Sequence, residues 1–295
     1  MSATLNPQLD VVFKLLFGAE RNRDILRALL NDILRPKRPI TSVDVANPEI
    51  RKDVAADRGL VLDVLAVHDD GTRTDIEMQT RDRGATEKRA LYHWARIYRD
   101  GIGRGDDFAA LHPCRVVFFL SFRLFEESAR LHSTFRVLEA HEHRPLSDEL
   151  ELHFVELPKL DGAIDEAGEP AVARWARFLA AATDEERRRL AMTHPHIQKA
   201  NEALEELSRD PEAQALARWR EDQLRLHRVE LATAEKRGLE KGLETGLRAE
   251  LKTACQILGI EWTPERDAQV AGADKAGLER LRAHLVEHRS WPDAE

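Results

Sequence analysis

The chain has 295 residues, 42% hydrophobic and 33% charged, which allows one large domain or two modest ones with a sizeable core. Its formal net charge of −8 is uneven: residues 1–125 carry an excess of +2 and the remainder −10, so there is no polybasic patch and the N-terminal part is the better side for an anionic partner. Two cysteines without metal-ligand spacing, and no apolar run of signal-peptide or membrane-spanning length, give the expectation of a reduced, soluble, cytoplasmic protein.

In chain order, "NPQLDVVFKLLFG" places Leu9, Val12, Phe13, Leu16 and Phe17 at helical spacing, and "RDILRALLNDIL" repeats the pattern before Pro36. "ITSVDVANP" alternates, is β-branched and stops at Asn47-Pro48, so it reads as a strand. Two alternating runs then flank His68-Asp69-Asp70-Gly71, which predicts a β-hairpin. A three-residue loop with glycine in the left-handed position pairs His68 with Thr72, and paired numbers then sum to 140. "ATEKRALYHWARIYRDGIGRG" reads as a helix with an apolar stripe of Ala90, Leu91, Trp94, Ile97 and Tyr98. "CRVVFFLSF" suits a buried central strand, "LELHFVEL" a further strand, and nearly everything from Pro170 onward is helical. A long charged helical stretch runs from about residue 197 to 250, interrupted near Pro211, and "KAGLERLRAHLVEH" forms the last helix. The expected fold class is therefore α/β: a mixed sheet flanked by helices over residues 1–160, followed by a helical C-terminal region over 161–295.

The predicted hairpin register puts Asp63 directly opposite Glu77 on one face, with Asp75 and Gln79 on that same face of the second strand. Two facing carboxylates repel unless a cation separates them, and a hard divalent ion would remove the conflict. A solvated polar face satisfies the same spacing, and the residues alone leave both readings open.

Taken together, "LDVVFKLLFG", "VLDVLAV" followed by "DIEMQ", "EKRALYHWARIYRDGIGRGDDFAAL", "CRVVFFLSFRLF", "LELHFVELPKL", "AVARWARFLAAA" and "KRGLEKGLETGL" resemble the Rpn family of recombination-promoting nucleases, also described as transposases, within the PD-(D/E)XK nuclease superfamily. The resemblance covers roughly residues 5–250 and rests on the order and spacing of the segments rather than on one motif. It implies a sheet-centred nuclease core and DNA cleavage dependent on Mg²⁺ or another divalent cation. Asp63 matches the first metal-binding Asp and Glu77 the acidic member of the (D/E)xK motif. Gln79 stands where most of the superfamily has Lys, and Leu62 where it has the Pro of its name. Asp10 matches the opening "D..FK" pattern and is a candidate third acid; an ordinary exposed helix acid fits it equally. Lys14, Arg58, Arg89 and Tyr92 are candidate phosphate contacts, each with a bland reading as an ion-pair or packing residue.

The lysine-to-glutamine change motivates an alternative: a weakly active or inactive DNA-binding or assembly protein on the same scaffold, associated with mobile elements. In the tail, Gly238, Gly242 and Gly246 recur every four residues, each costing a helix about 1 kcal/mol relative to alanine. Close approach of another helix, by self-association or within the chain, would offset that cost; a tail with no partner fits the spacing as well.

Overall fold

The computed structural model describes residues 4–46, 64–82, 84–162 and 170–292. Two short amphipathic helices open it, α1 (Asp10–Phe17) and α2 (Arg23–Leu34), followed by β1 (Val43–Val45), β2 (Val64–His68) and β3 (Arg73–Gln79). Helix α3 (Thr86–Arg99) crosses to β4 (Cys114–Leu120), and β5 (His132–Arg136) and β6 (Leu150–Glu156) complete the sheet. The helices α4 (Ala171–Ala180), α5 (Asp184–Thr193), α6 (Pro195–Leu207), α7 (Pro211–Leu258), α8 (Pro264–Gly272) and α9 (Lys275–His288) follow. Among the described residues no helix is long and apolar enough to cross a membrane.

The six strands lie in the order β1-β2-β3-β4-β6-β5. β1, β2 and β3 are antiparallel neighbours, β3, β4 and β6 run parallel, and β5 returns antiparallel on β6. Parallel neighbours need a crossover connection, and α3 supplies it between β3 and β4. Neighbouring side chains of β4 serve opposite faces. Phe118 packs with Ala90 and Ile97 of α3, whereas the Phe119 ring lies 5.7 Å from Phe13 of α1. On the α1 side Trp175 of α4 is fully buried, its ring 6.1 Å from Phe17 and its indole N–H donating to Asp32 at 2.7 Å.

Two strands differ from the sequence expectation. β1 is only three residues long because side chains take the backbone groups before it. Asn31 bonds both the N–H and the C=O of Ile40, and Asp69 accepts from the N–H and hydroxyl of Thr41. β5 was not expected at all. Its residues are polar or outward-facing, and it is fixed partly by side chains, with His132 Nε2 3.0 Å from His153 Nδ1 and Arg136 donating to Glu151 at 2.6 Å. Burial and the neighbouring His153 lower the His132 pKa to about 4. Burial alone would raise Glu151, but hydrogen bonds from His153 and Arg136 and the charge of Arg115 bring it down to about 2.

The chain divides into two compact units, Met1–Glu221 and Asp222–Glu295. In the first unit, α4 and α6 bury Val172, Trp175, Phe178, Ile197 and Leu204. In the second unit, Leu251 and Cys255 of α7 pack with Val270 of α8 and Leu278, Leu281 and Leu285 of α9. A β-carbon built at Gly238, Gly242 or Gly246 would meet nothing within 4 Å. Among the described residues, no other helix lies against this glycine stripe.

Candidate active site

The hairpin that builds the site closes as its turn chemistry requires. The His68 N–H bonds Thr72 O at 2.8 Å, the Gly71 N–H bonds His68 O at 3.0 Å, and Gly71 sits at φ +85°. Asp70 steadies the turn by accepting from the Thr72 N–H at 2.9 Å. The register that follows is Val64 with Ile76, Leu65 with Asp75, Ala66 with Thr74 and Val67 with Arg73. These numbers sum to 140, as the three-residue loop predicts. Asp63 and Arg58 lie outside the described residues.

The polar face of β3 is not a solvated one. Asp75 is 1% exposed, Glu77 6% and Gln79 8%. The reason is α3, which covers this face of the sheet and turns Arg89, His93 and Arg96 toward it at helical spacings of four and three. Arg89 donates to Glu77 Oε1. His93 Nδ1 lies 2.8 Å from Asp75 Oδ2, and its Nε2 lies 3.8 Å from Glu77 Oε2. Arg96 approaches Asp75 to 3.6 Å. The His93 ring is buried, its centroid 5.8 Å from that of Phe118 on β4. Gln79 is tied to β4 by its carbonyl, which accepts from the Ser121 N–H at 2.9 Å. Its side-chain Nε2 is buried and has no hydrogen-bond partner among the described residues.

The remaining candidates sit as follows. Tyr92 is 67% exposed, beside His93 with ring centroids 6.3 Å apart. Lys14 is almost fully buried on α1. Asp10, at the start of α1, accepts a two-pronged interaction from Arg220 of α7, with Nε to Oδ1 at 2.8 Å and Nη2 to Oδ2. From the sequence, His93 beside Trp94 is suggestive but carries no assigned role, and Arg96 is not singled out. The signal was present in the polar stripe Arg89, His93 and Arg96, but the adjacent Trp94 drew the helix reading toward core packing.

Among the described residues no group of three or more His, Cys, Asp or Glu side chains is arranged to hold a metal ion. The oxygen donors on the described part of this face are the Glu77 carboxylate and the amide oxygen of Gln79. The orphaned Gln79 N–H donor points to a missing acceptor, as a water or phosphate oxygen would be.

A family model described as PD-(D/E)XK nuclease family transposase matches residues 7–234. The chain belongs to that family. No curated protein and no solved structure matches the chain. Membership of the PD-(D/E)XK transposase family accounts for the mixed sheet with flanking helices and gives the protein a nuclease-like scaffold. The matched span ends inside α7, so the family region includes Arg220 but not α8 or α9.

Proposed function

We propose that this PD-(D/E)XK protein is a divalent-metal-dependent DNA endonuclease of the Rpn type that hydrolyses phosphodiester bonds. The observation that carries the reading is the burial of the Asp75-Glu77-Gln79 face beneath a basic stripe of α3. Buried carboxylates need counter-charge; Arg89 and Arg96 supply part of it here, and a divalent ion at Glu77 would add to it. Asp63 and Glu77 would hold Mg²⁺ or a related ion, as the resemblance of "VLDVLAV" and "DIEMQ" to the metal-binding segments of the superfamily implies. When bound, such an ion activates water and stabilises the charge that develops at phosphorus.

The chain's own groups then have separate tasks. Gln79 Nε2, buried and lacking a partner among the described residues, donates to the attacking water or to a phosphate oxygen. Arg89 neutralises Glu77, and with the exposed Tyr92 one turn along it would meet the DNA backbone. Lys14 and Arg58 remain proposed phosphate contacts. A DNA substrate fits a cytoplasmic location.

The test is cleavage of supercoiled plasmid with Mg²⁺ against EDTA. Asp63→Ala and Glu77→Ala should each lose more than about 100-fold in rate while retaining the wild-type circular dichroism. Wild-type cleavage by either variant overturns the assignment. A second reading, a DNA-binding or assembly protein without turnover, is favoured by two observations: Gln79 in place of a lysine, and Arg89 already occupying Glu77. It predicts salt-dependent binding without nicking in either Mg²⁺ or Mn²⁺.

A further inference from the structure

We infer that the outward line of α3, formed by Lys88, Tyr92 and Arg99, is a rail for the DNA backbone that leads away from the candidate active site. The inference rests on the DNA partner of the reading above and adds to it the surface that grips the strand beside the site.

Positions 88, 92, 95 and 99 of an α-helix fall within about 60° of arc and so form one line. In α3 they are Lys88, Tyr92, Ala95 and Arg99, and all four are exposed, Tyr92 to 67% and the Arg99 side chain to 77%. The opposite side of the helix carries the buried Ala90, His93 and Ile97. α3 runs antiparallel to β3: Arg89 meets Glu77, Arg96 meets Asp75, and a β-carbon at Gly101 would lie 3.6 Å from the Arg73 guanidinium. The line therefore starts with Lys88 at the Glu77-Gln79 end of the strand and runs away from it to Arg99. At about 1.5 Å per residue, Lys88 and Arg99 stand about 16 Å apart along the axis. A DNA strand advances about 3.4 Å per nucleotide, so the line spans about five phosphates laid along it.

Charge sets this line apart from an ordinary solvated face. Exposed helix faces usually mix the two signs in pairs three or four residues apart. α3 has four Lys or Arg among its 14 residues and one acid, Glu87, a balance of +3. Glu87 points about 100° away from the line. In a chain of net charge −8, DNA approaches most readily where the local sign is reversed. Arg99 holds Asp100 through Nε and Nη2 at 2.8 and 2.7 Å, but both side chains are exposed, and such a pair is weak enough to open to a phosphate. Between the two cations, the Tyr92 hydroxyl can donate to a phosphate oxygen, and the small Ala95 lets a strand lie close.

The experiment titrates a fluorescein-labelled synthetic DNA duplex with the full chain in EDTA, over a series of potassium chloride concentrations, and follows anisotropy. Without a divalent ion, no turnover enters the measurement. Lys88→Gln and Arg99→Gln should each flatten the plot of log affinity against log salt by about 0.9, and weaken binding by up to about 10-fold near about 0.1 M salt. Tyr92→Phe should weaken binding by about 3-fold at unchanged slope, because a hydroxyl displaces no counterion. Arg189→Gln, on α5 and 75% exposed, removes a cation off the rail and should keep the wild-type slope. Wild-type slopes in both Lys88→Gln and Arg99→Gln overturn the rail. So does an equal flattening in Arg189→Gln, which would mean diffuse attraction, or a wild type that does not bind the duplex in EDTA. Plasmid cleavage in Mg²⁺ by the same wild-type protein tests the nuclease reading separately. Flattened slopes without cleavage support the rail and remove the turnover; cleavage with unchanged slopes removes the rail alone.

Discussion

Asp10 and Arg220 are 210 residues apart, and their pairing joins the first helix to the first turns of α7. The side chains are 17% and 14% exposed. An exposed ion pair contributes about 0.2–1 kcal/mol, and breaking a fully buried one costs about 3–5. A two-pronged, mostly buried pair falls between, so removing either partner should destabilise by about 2 kcal/mol. For a unit of 221 residues this lowers the melting temperature by roughly 4–8 °C. The measurement is thermal unfolding of Asp10→Ala, Arg220→Ala and the double variant, with plasmid cleavage run alongside. A clamp predicts similar losses for the two single variants and a coupling of about 1–3 kcal/mol in the double-mutant cycle. It also predicts that cleavage falls in parallel in both. If Asp10 acts instead as the third acid of the site, Asp10→Ala loses cleavage while Arg220→Ala, which keeps the acid, does not. Additive effects, or an Asp10→Ala variant as stable as wild type, would refute the clamp.

Gly71→Ala should cost about 1–3 kcal/mol by urea unfolding, because the position is left-handed and the new β-carbon would lie 2.5 Å from the His112 ring; wild-type stability would show that the turn tolerates a side chain. His68 and His132 are held near pKa 4, chiefly by burial, below their unfolded value of about 6.5. Their contribution is therefore complete above pH 6.5 and is lost as the pH falls toward 4, by at most about 3 kcal/mol each, and a urea midpoint that stays level from pH 7 to 4.5 contradicts this. Glu151, depressed to about 2, contributes above the usual carboxylate value and loses that only in more acid solution, between about 4.5 and 2. Gly242→Ala should raise helicity and stabilise α7 by up to about 1 kcal/mol with unchanged sedimentation mass, since its β-carbon meets nothing; a fall in mass would reveal a second chain on that stripe.

How much the sequence disclosed depended on how local the determining physics is. The turn Asp69-Asp70-Gly71 sets its own geometry, so the register of β2 and β3 could be worked out before any contact was known. The last helix, with its alternating apolar stripe, was likewise legible to the residue. β5 was hidden because "HSTFR" lacks an apolar alternation and is held by partners on β6. α5 was not separated from its neighbours because it buries little beyond Arg187 and Ala191. In the site, Glu77 and Gln79 were visible as a pattern on one strand. The roles of His93 and Arg96 depend on α3 lying over that strand, a long-range placement that a single histidine beside a tryptophan does not announce. The partner of Asp10 was equally out of reach, since nothing near it in the chain points 210 residues ahead.

β3 is an interior strand, flanked by β2 and β4, while β1 and β5 form the two borders of the sheet. Amides in such an interior strand exchange their hydrogens slowly, through openings close to global unfolding, while border strands open locally. Asp75 and Glu77 are thus mounted on a strand whose amides are expected to exchange slowly. A cation arriving there has little backbone left to order, and its entropic cost falls on a few side chains. Binding should accordingly leave the exchange of β3 almost unaltered and register instead in the first turns of α3, where Arg89 must release or share Glu77.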